Sequence, residues 1–191
     1  MRISVALIVA LMVLPACSSR PPTEAPREFL DEQTGATLSV VAKPLVFARE
    51  RIDVAAHARD YATLVAAEID ISGKYSEYLL LYRWSTVDPR MSPVPDPNAG
   101  ELKILADGRV FNLMPLAQMP VSLSQRRELQ VPQHGDVISH AYLVDTATLR
   151  YIATSRELAV LMPQEALDTP FRMWEDGRKS LEQFVQRTSG P

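Results

Sequence analysis

The chain has 191 residues, 47% of them hydrophobic, with 20 basic and 23 acidic side chains and a formal charge of −3 at neutral pH. That length suits one principal core, and so mild an acidity gives no electrostatic footprint for nucleic acid and no polybasic patch for anionic lipid. One cysteine excludes an internal disulfide, and only three histidines are available as metal ligands.

The first residues carry an address. Arg2 precedes an uncharged run from Ile3 to Leu14, too short to cross a hydrocarbon core that needs roughly 20 apolar residues, so it reads as an export signal. Leu14, Pro15, Ala16 and Cys17 resemble the lipobox of bacterial lipoproteins, with Pro15 standing where that motif usually carries a small or hydroxyl residue. The resemblance implies cleavage of residues 1–16 and a diacylglycerol thioether on Cys17, joined in Gram-negative bacteria by an amide-linked acyl chain of the palmitate type. Two or three such chains hold a protein firmly, at about 0.8 kcal/mol per buried methylene. Ser18, with no aspartate beside the cysteine, resembles an outer-membrane address. Lipidation would also consume the only thiol, removing thiolate nucleophiles and cysteine-ligated metals. Residues 17–28, with prolines at 21, 22 and 26, read as the lipidated cysteine and a tether reaching about 35 Å at ~3.1 Å per residue.

A single globular domain is expected over residues 29–191. Ala36 to Phe47 is β-rich, and alanine-rich Asp53 to Arg59 reads as a short helical turn. Leu64, Ala66, Glu68 and Asp70 then alternate with Val65, Ala67, Ile69 and Ile71, the period of a strand with one dry face and one increasingly wet face. After a turn at Ser72, Gly73 and Lys74, the return strand Glu77 to Trp84 is apolar on both sides and predicts a central position. Four prolines between 85 and 100 predict a long exposed loop. Asp107 and Gly108 sit between the strand-like segments 101–106 and 109–113 and predict a type I′ hairpin. Farther on, Val137–Val144 is strand-like, and Asp145 or Thr146 caps a helix whose Leu149, Ile152 and Ala153 share a face. Strands follow at Glu157–Met162 and Phe171–Trp174. The last helix starts near Asp176 and turns Leu181, Phe184 and Val185 inward. The predicted class is α+β, mainly antiparallel sheet with two or three packed helices.

Chemistry is sparse. His134, Asp136 and His140 form the densest ligand cluster, without a standard zinc spacing; no metal ligand and no cofactor site is assigned. His57 has no serine near it in sequence, and no nucleophile elbow, phosphate loop or paired-histidine metalloprotease motif occurs. Glu68 and Asp70 share a strand face, an arrangement that reads as a solvated edge near a turn. Trp84, Tyr78, Tyr82 and Trp174 read as core aromatics rather than a ligand cleft. Leu123 to Arg127 superficially resembles part of the peptidoglycan-binding domains of outer-membrane protein A, but Pro120 and Pro132 break that pattern. No catalytic residue is assigned.

Phe29 to Thr37, Pro44 to Ala48 and Tyr82 to Thr86 resemble a group of uncharacterised proteobacterial lipoproteins, a likeness that implies no active site. The expectation is a lipid-anchored envelope protein, a binding or assembly module at the periplasmic face of the outer membrane whose partner is another envelope protein. The alternative is an envelope enzyme with an unconventional acid and base. Replacing Cys17 with serine is expected to move the protein from the membrane pellet to the soluble fraction and to abolish palmitate labelling. Retention in the pellet would refute anchoring through Cys17.

Overall fold

The computed structural model describes residues 24–88, 90, 101–124, 129, 137–162 and 169–188. Its centre is a long antiparallel hairpin, β4 (Arg59–Ile71) and β5 (Lys74–Ser85), turned at Ser72 and Gly73. Both turn residues have positive φ, 54° and 81°, the type I′ geometry that matches strand twist. Asp70 Oδ1 accepts the Gly73 N–H at 2.7 Å and closes the turn.

One edge of β4 is shared by two strands. Its C-terminal half pairs with β2 (Ala36–Val40) and its N-terminal half with β3 (Leu45–Glu50), with Val41 N–H donating to Ala66 C=O across the break. β1 (Arg27–Asp31) extends the sheet from β2. From β3 it continues through β10 (Phe171–Glu175), β9 (Leu158–Leu161), β6 (Leu102–Ala106) and β7 (Arg109–Leu113). On the other side β5 pairs with β8 (Ile138–Val144). Just past β7, Pro115 bridges Tyr142 and Leu116 N–H donates to Ala141 C=O. These contacts bring the far end of the sheet back to the free edge of β8, so eight of the ten strands curl into a partly closed barrel, with β2 and β1 branching from β4.

Register assigns the faces. Phe47, Leu64, Leu79, Leu81, Ile104, Tyr142, Val160 and Phe171 project to the inner face and are fully or almost fully buried. They meet Leu149 and Ile152 of α2 (Thr146–Thr154) and Leu181, Phe184 and Val185 of α3 (Arg178–Thr188) in one core. Both helices start next to an aspartate, as expected, though only Asp145 is an N-cap. Asp145 accepts the Thr148 N–H at 2.6 Å, and Asp176 accepts the Arg178 N–H at 3.0 Å. A short α1 (Val121–Ser124) places Leu123 in the core and meets the β1–β2 turn where Ser122 and Thr34 hydroxyls lie 3.1 Å apart. No helix among the described residues is long and apolar enough to cross a membrane.

The sheet-dominated α+β class, the central position of the return strand and the Asp107–Gly108 hairpin agree with expectation; Asp107 and Gly108 have φ of 46° and 79°. Two local features are sharper than the sequence shows. Residues 51–58 form hydrogen-bonded turns, Val54 and Ala55 N–H both reaching Arg51 C=O, because Glu50 pairs with Arg59 and the segment must close a hairpin. Single turns cost too much backbone entropy to propagate as helix there. The fold also starts earlier than Phe29: Arg27 and Glu28 belong to β1, and Glu24 is already held.

That hold is a seam. The Ser180 hydroxyl, fully buried, donates to Glu24 C=O and accepts the Lys43 N–H, each at 3.0 Å. One turn earlier, a Cβ on Gly177 would lie 2.3 Å from the Pro44 carbonyl oxygen and 2.7 Å from that of Lys43. Glycine is therefore required at 177 by close approach. Gly177→Ala is expected to cost about 2–3 kcal/mol through overpacking against backbone, read as a lower urea midpoint at unchanged slope.

Candidate functional site

Among the described residues, those singled out by sequence do not converge. His57 is exposed in the β3–β4 turn, and His140 lies in β8 opposite Leu81. His134, Asp136, Cys17, Gln125 to Arg127 and most of the proline-rich loop fall outside the described residues. Among the described residues no three histidine, cysteine, aspartate or glutamate side chains group to hold a metal. Tyr82 is buried and Tyr78 half-buried on β5, as core aromatics.

Glu68 departs most from expectation. Rather than lining a wet edge, it is 6% exposed in the middle of the sheet. Its directly opposed neighbour is Glu77, also buried, and not Asp70, which is spent on the Gly73 turn.

At the opposite end of the same face lies a mixed charge network. The Asp60 carboxylate accepts Arg49 Nη2 at 2.9 Å, Arg51 Nη1 at 3.2 Å and Ser85 Oγ at 2.8 Å. Burial alone would raise the Asp60 pKa, but Ser85 and the two guanidinium groups outweigh it and hold the carboxyl below the ordinary range. Arg83 is buried on that face too; burial lowers its pKa and the Asp60 charge opposes the effect. Arg49 also lies over the Phe171 ring, 4.6 Å from its centroid. This network ties β3, β4, β5 and β10 together.

Two cavities accompany these elements. One of about 630 Å³ lies on the outer side of β6, β9 and β10, near Asp107, Arg156, Glu157 and Arg172. Of its two acids, Asp107 is already committed, accepting the N–H groups of both Glu157 and Arg156. Those bonds, Glu157 first, hold its pKa down. The other, about 360 Å³, lies between α2 and α3, with Arg150 and Glu182 at its polar margin.

The outer wall of the barrel carries a different arrangement. Tyr61 and Trp84 are cross-strand partners on β4 and β5, with rings stacked at 3.9 Å and only 5° apart. The Trp84 indole N–H donates to Thr63 Oγ1 at 3.2 Å, which sets its rotation. Trp174 sits in the β10 bulge between Met173 and Glu175 and meets Tyr61 edge-on at 6.1 Å. The Arg59 guanidinium lies over Trp174 at 4.8 Å, and Glu50 accepts from it at 3.4 Å. Tyr61 is 8% exposed while Trp174 is 52% exposed, so a buried ring supports an exposed one. Offset, edge-on and cation–π contacts each contribute about 0.5–1.5 kcal/mol and preset the geometry. This ridge presents a half-exposed tryptophan on a preset support. Of its members, Trp84 and Trp174 read from sequence as core aromatics, which does not hold for the half-exposed Trp174, and nothing in the sequence pointed to Tyr61 or Arg59.

Compared with known protein families, curated proteins and solved structures, the chain matches none.

Trp174→Ala is expected to cost under about 1 kcal/mol, as an exposed substitution, whereas Tyr61→Ala costs about 3–4 kcal/mol. Chemical denaturation of the two variants checks this split. Equal losses would make Trp174 a structural residue.

Proposed function

We propose that this chain is a lipid-anchored envelope protein that binds or assembles with another envelope protein at the periplasmic face of the outer membrane, using the Trp174 ridge. The observation that carries this reading is the support of a half-exposed tryptophan by a buried Tyr61–Trp84 stack and a covering arginine. Rigid aromatic side chains beside arginine lose little entropy on contact and dominate the energetics of protein interfaces. The lipobox-like segment ending at Cys17 supports the address. The acid–base alternative would rest on Glu68 and Glu77, and neither cavity described above is lined by them.

A photoreactive phenylalanine analogue at position 174, crosslinked in intact cells, is expected to yield a discrete adduct. The same analogue at Val110, equally exposed on β7, should not. Adding Arg59→Ala should weaken the adduct at 174 by about fivefold or more, as expected for about 1 kcal/mol of lost contact. Identical adducts at both positions, or none at 174, would remove the ridge from the reading.

A further inference from the structure

Strand register lines up one row of side chains across five strands of the inner face: Glu28 on β1, Ser39 on β2, Glu68 on β4, Glu77 on β5 and Val144 on β8. Three of the five are acids. Like charges directly opposed on adjacent strands repel, and Glu68 and Glu77 are both more than nine-tenths buried.

Their surroundings differ. Glu77 Oε1 accepts the hydroxyl of Thr146, the first residue of α2, at 2.9 Å, and lies 3.5 Å from that of Thr188, the last residue of α3, which is nearer to the Phe184 carbonyl at 3.1 Å. It also sits at the positive end of the α2 dipole. Glu68 has no such support; among the described residues it accepts no hydrogen bond and joins no ion pair. A buried carboxylate left without a donor is costly, so the group keeps a proton instead. The nearby charges are accounted for. Glu28 is held by Arg187 of α3 at 2.6 Å, Asp70 accepts from the Gly73 N–H, and Asp145 and Arg150 of α2 act on Glu77 with opposite signs. Asp145 is itself occupied as the α2 cap.

We propose that Glu68 and Glu77 share a single proton in mildly acidic solution and form a pH-sensitive latch, which fastens the first turn of α2 and the last turn of α3 to the sheet. Burial, then the charge of Glu77, then those of Asp70 and Glu28, push the Glu68 pKa up to about 7. Burial raises Glu77 as well, against the pull of the two threonine hydroxyls. Loss of the shared proton would leave two carboxylates facing each other beneath the negative end of the α3 dipole. The last turn of α3, held there by Thr188 and Arg187, is the element that loosens.

The sign of the effect is fixed by linkage. A carboxyl raised from 4.5 to about 7 on folding adds stability that is full below its unfolded pKa and disappears as pH rises through its folded one. In the full chain held in detergent, the melting temperature of native protein should fall between about pH 5 and pH 8. That of Glu68→Gln should fall less steeply over the same range, since Glu77 still titrates, and exceed the native value by about 5 °C at pH 8. Amide exchange in the last turn of α3, corrected for intrinsic rate, should quicken with pH in the native chain alone. Equal slopes in both proteins would overturn the latch. So would removal of the native slope by millimolar magnesium or calcium, since the carboxylates would then hold a metal rather than a proton. Should Glu68→Gln fail to fold, Glu77→Gln serves: it should lower the Glu68 carboxyl midpoint, followed by carbon NMR, by about one pH unit or more. A native Glu68 titrating in the ordinary carboxylate range, or a midpoint unmoved by Glu77→Gln, refutes the proposal.

Discussion

The fold depends on how one strand edge serves two partners. β4 is thirteen residues long, and no single neighbour covers the edge opposite β5. β2 and β3 divide it, and the chain must step out and back between Val41 and Pro44. Such a break would leave backbone groups without partners, at a cost comparable to lost hydrogen bonds. Val41 N–H recovers one by reaching Ala66, and Ser180 accepts from Lys43. Gly177 lets the start of α3 press directly on the carbonyls of the step. Because β1 grows from β2 while β10 grows from β3, this step also decides where the sheet forks. The start of α3 is thereby registered against the two strands that flank the step.

Much of this was legible from periodicity. Alternation over Leu64–Ile71, apolar character on both sides of β5, and the helix-starting aspartates Asp145 and Asp176 all speak through local chemistry. The charge pairing did not, for one identifiable reason. The turn reads naturally as Ser72, Gly73 and Lys74, yet Lys74 is already paired with Ile71, leaving a two-residue turn. Two residues at positive φ set the register, and that register puts Glu68 opposite Glu77 and Tyr61 opposite Trp84. A single-residue difference in turn length thus hid both the buried acid pair and the aromatic stack. The turn near Asp53 stays a single turn for another reason: alanine favours helix locally, but the pairing of Glu50 with Arg59 is tertiary and limits it.

The two faces of the central hairpin take different kinds of chemistry. Inside, polar groups appear at the two ends of the barrel, the acid row beneath the helices and the Asp60 network at the other end. The latter is mostly closed by charge-assisted bonds. Outside, Tyr61, Trp84 and Trp174 rely on ring geometry and a single arginine. Buried polar groups that are fully paired rigidify a core, while one left without a donor becomes a place where conditions are felt. Glu68 is of the second kind and the Asp60 carboxylate of the first.

The grip of Ser180 on Glu24 has a consequence for geometry beyond the domain itself. With Cys17 embedded in a bilayer, only six residues would separate the anchor from the held backbone, a leash of about 20 Å at most. A domain so confined samples a thin shell over the membrane rather than the surrounding volume. For a partner in that same layer, the effective concentration rises toward the millimolar range. Encounters between the Trp174 ridge and a membrane-bound neighbour would then be governed by lateral diffusion and by which way the barrel is turned, so that even a weak contact could be well occupied.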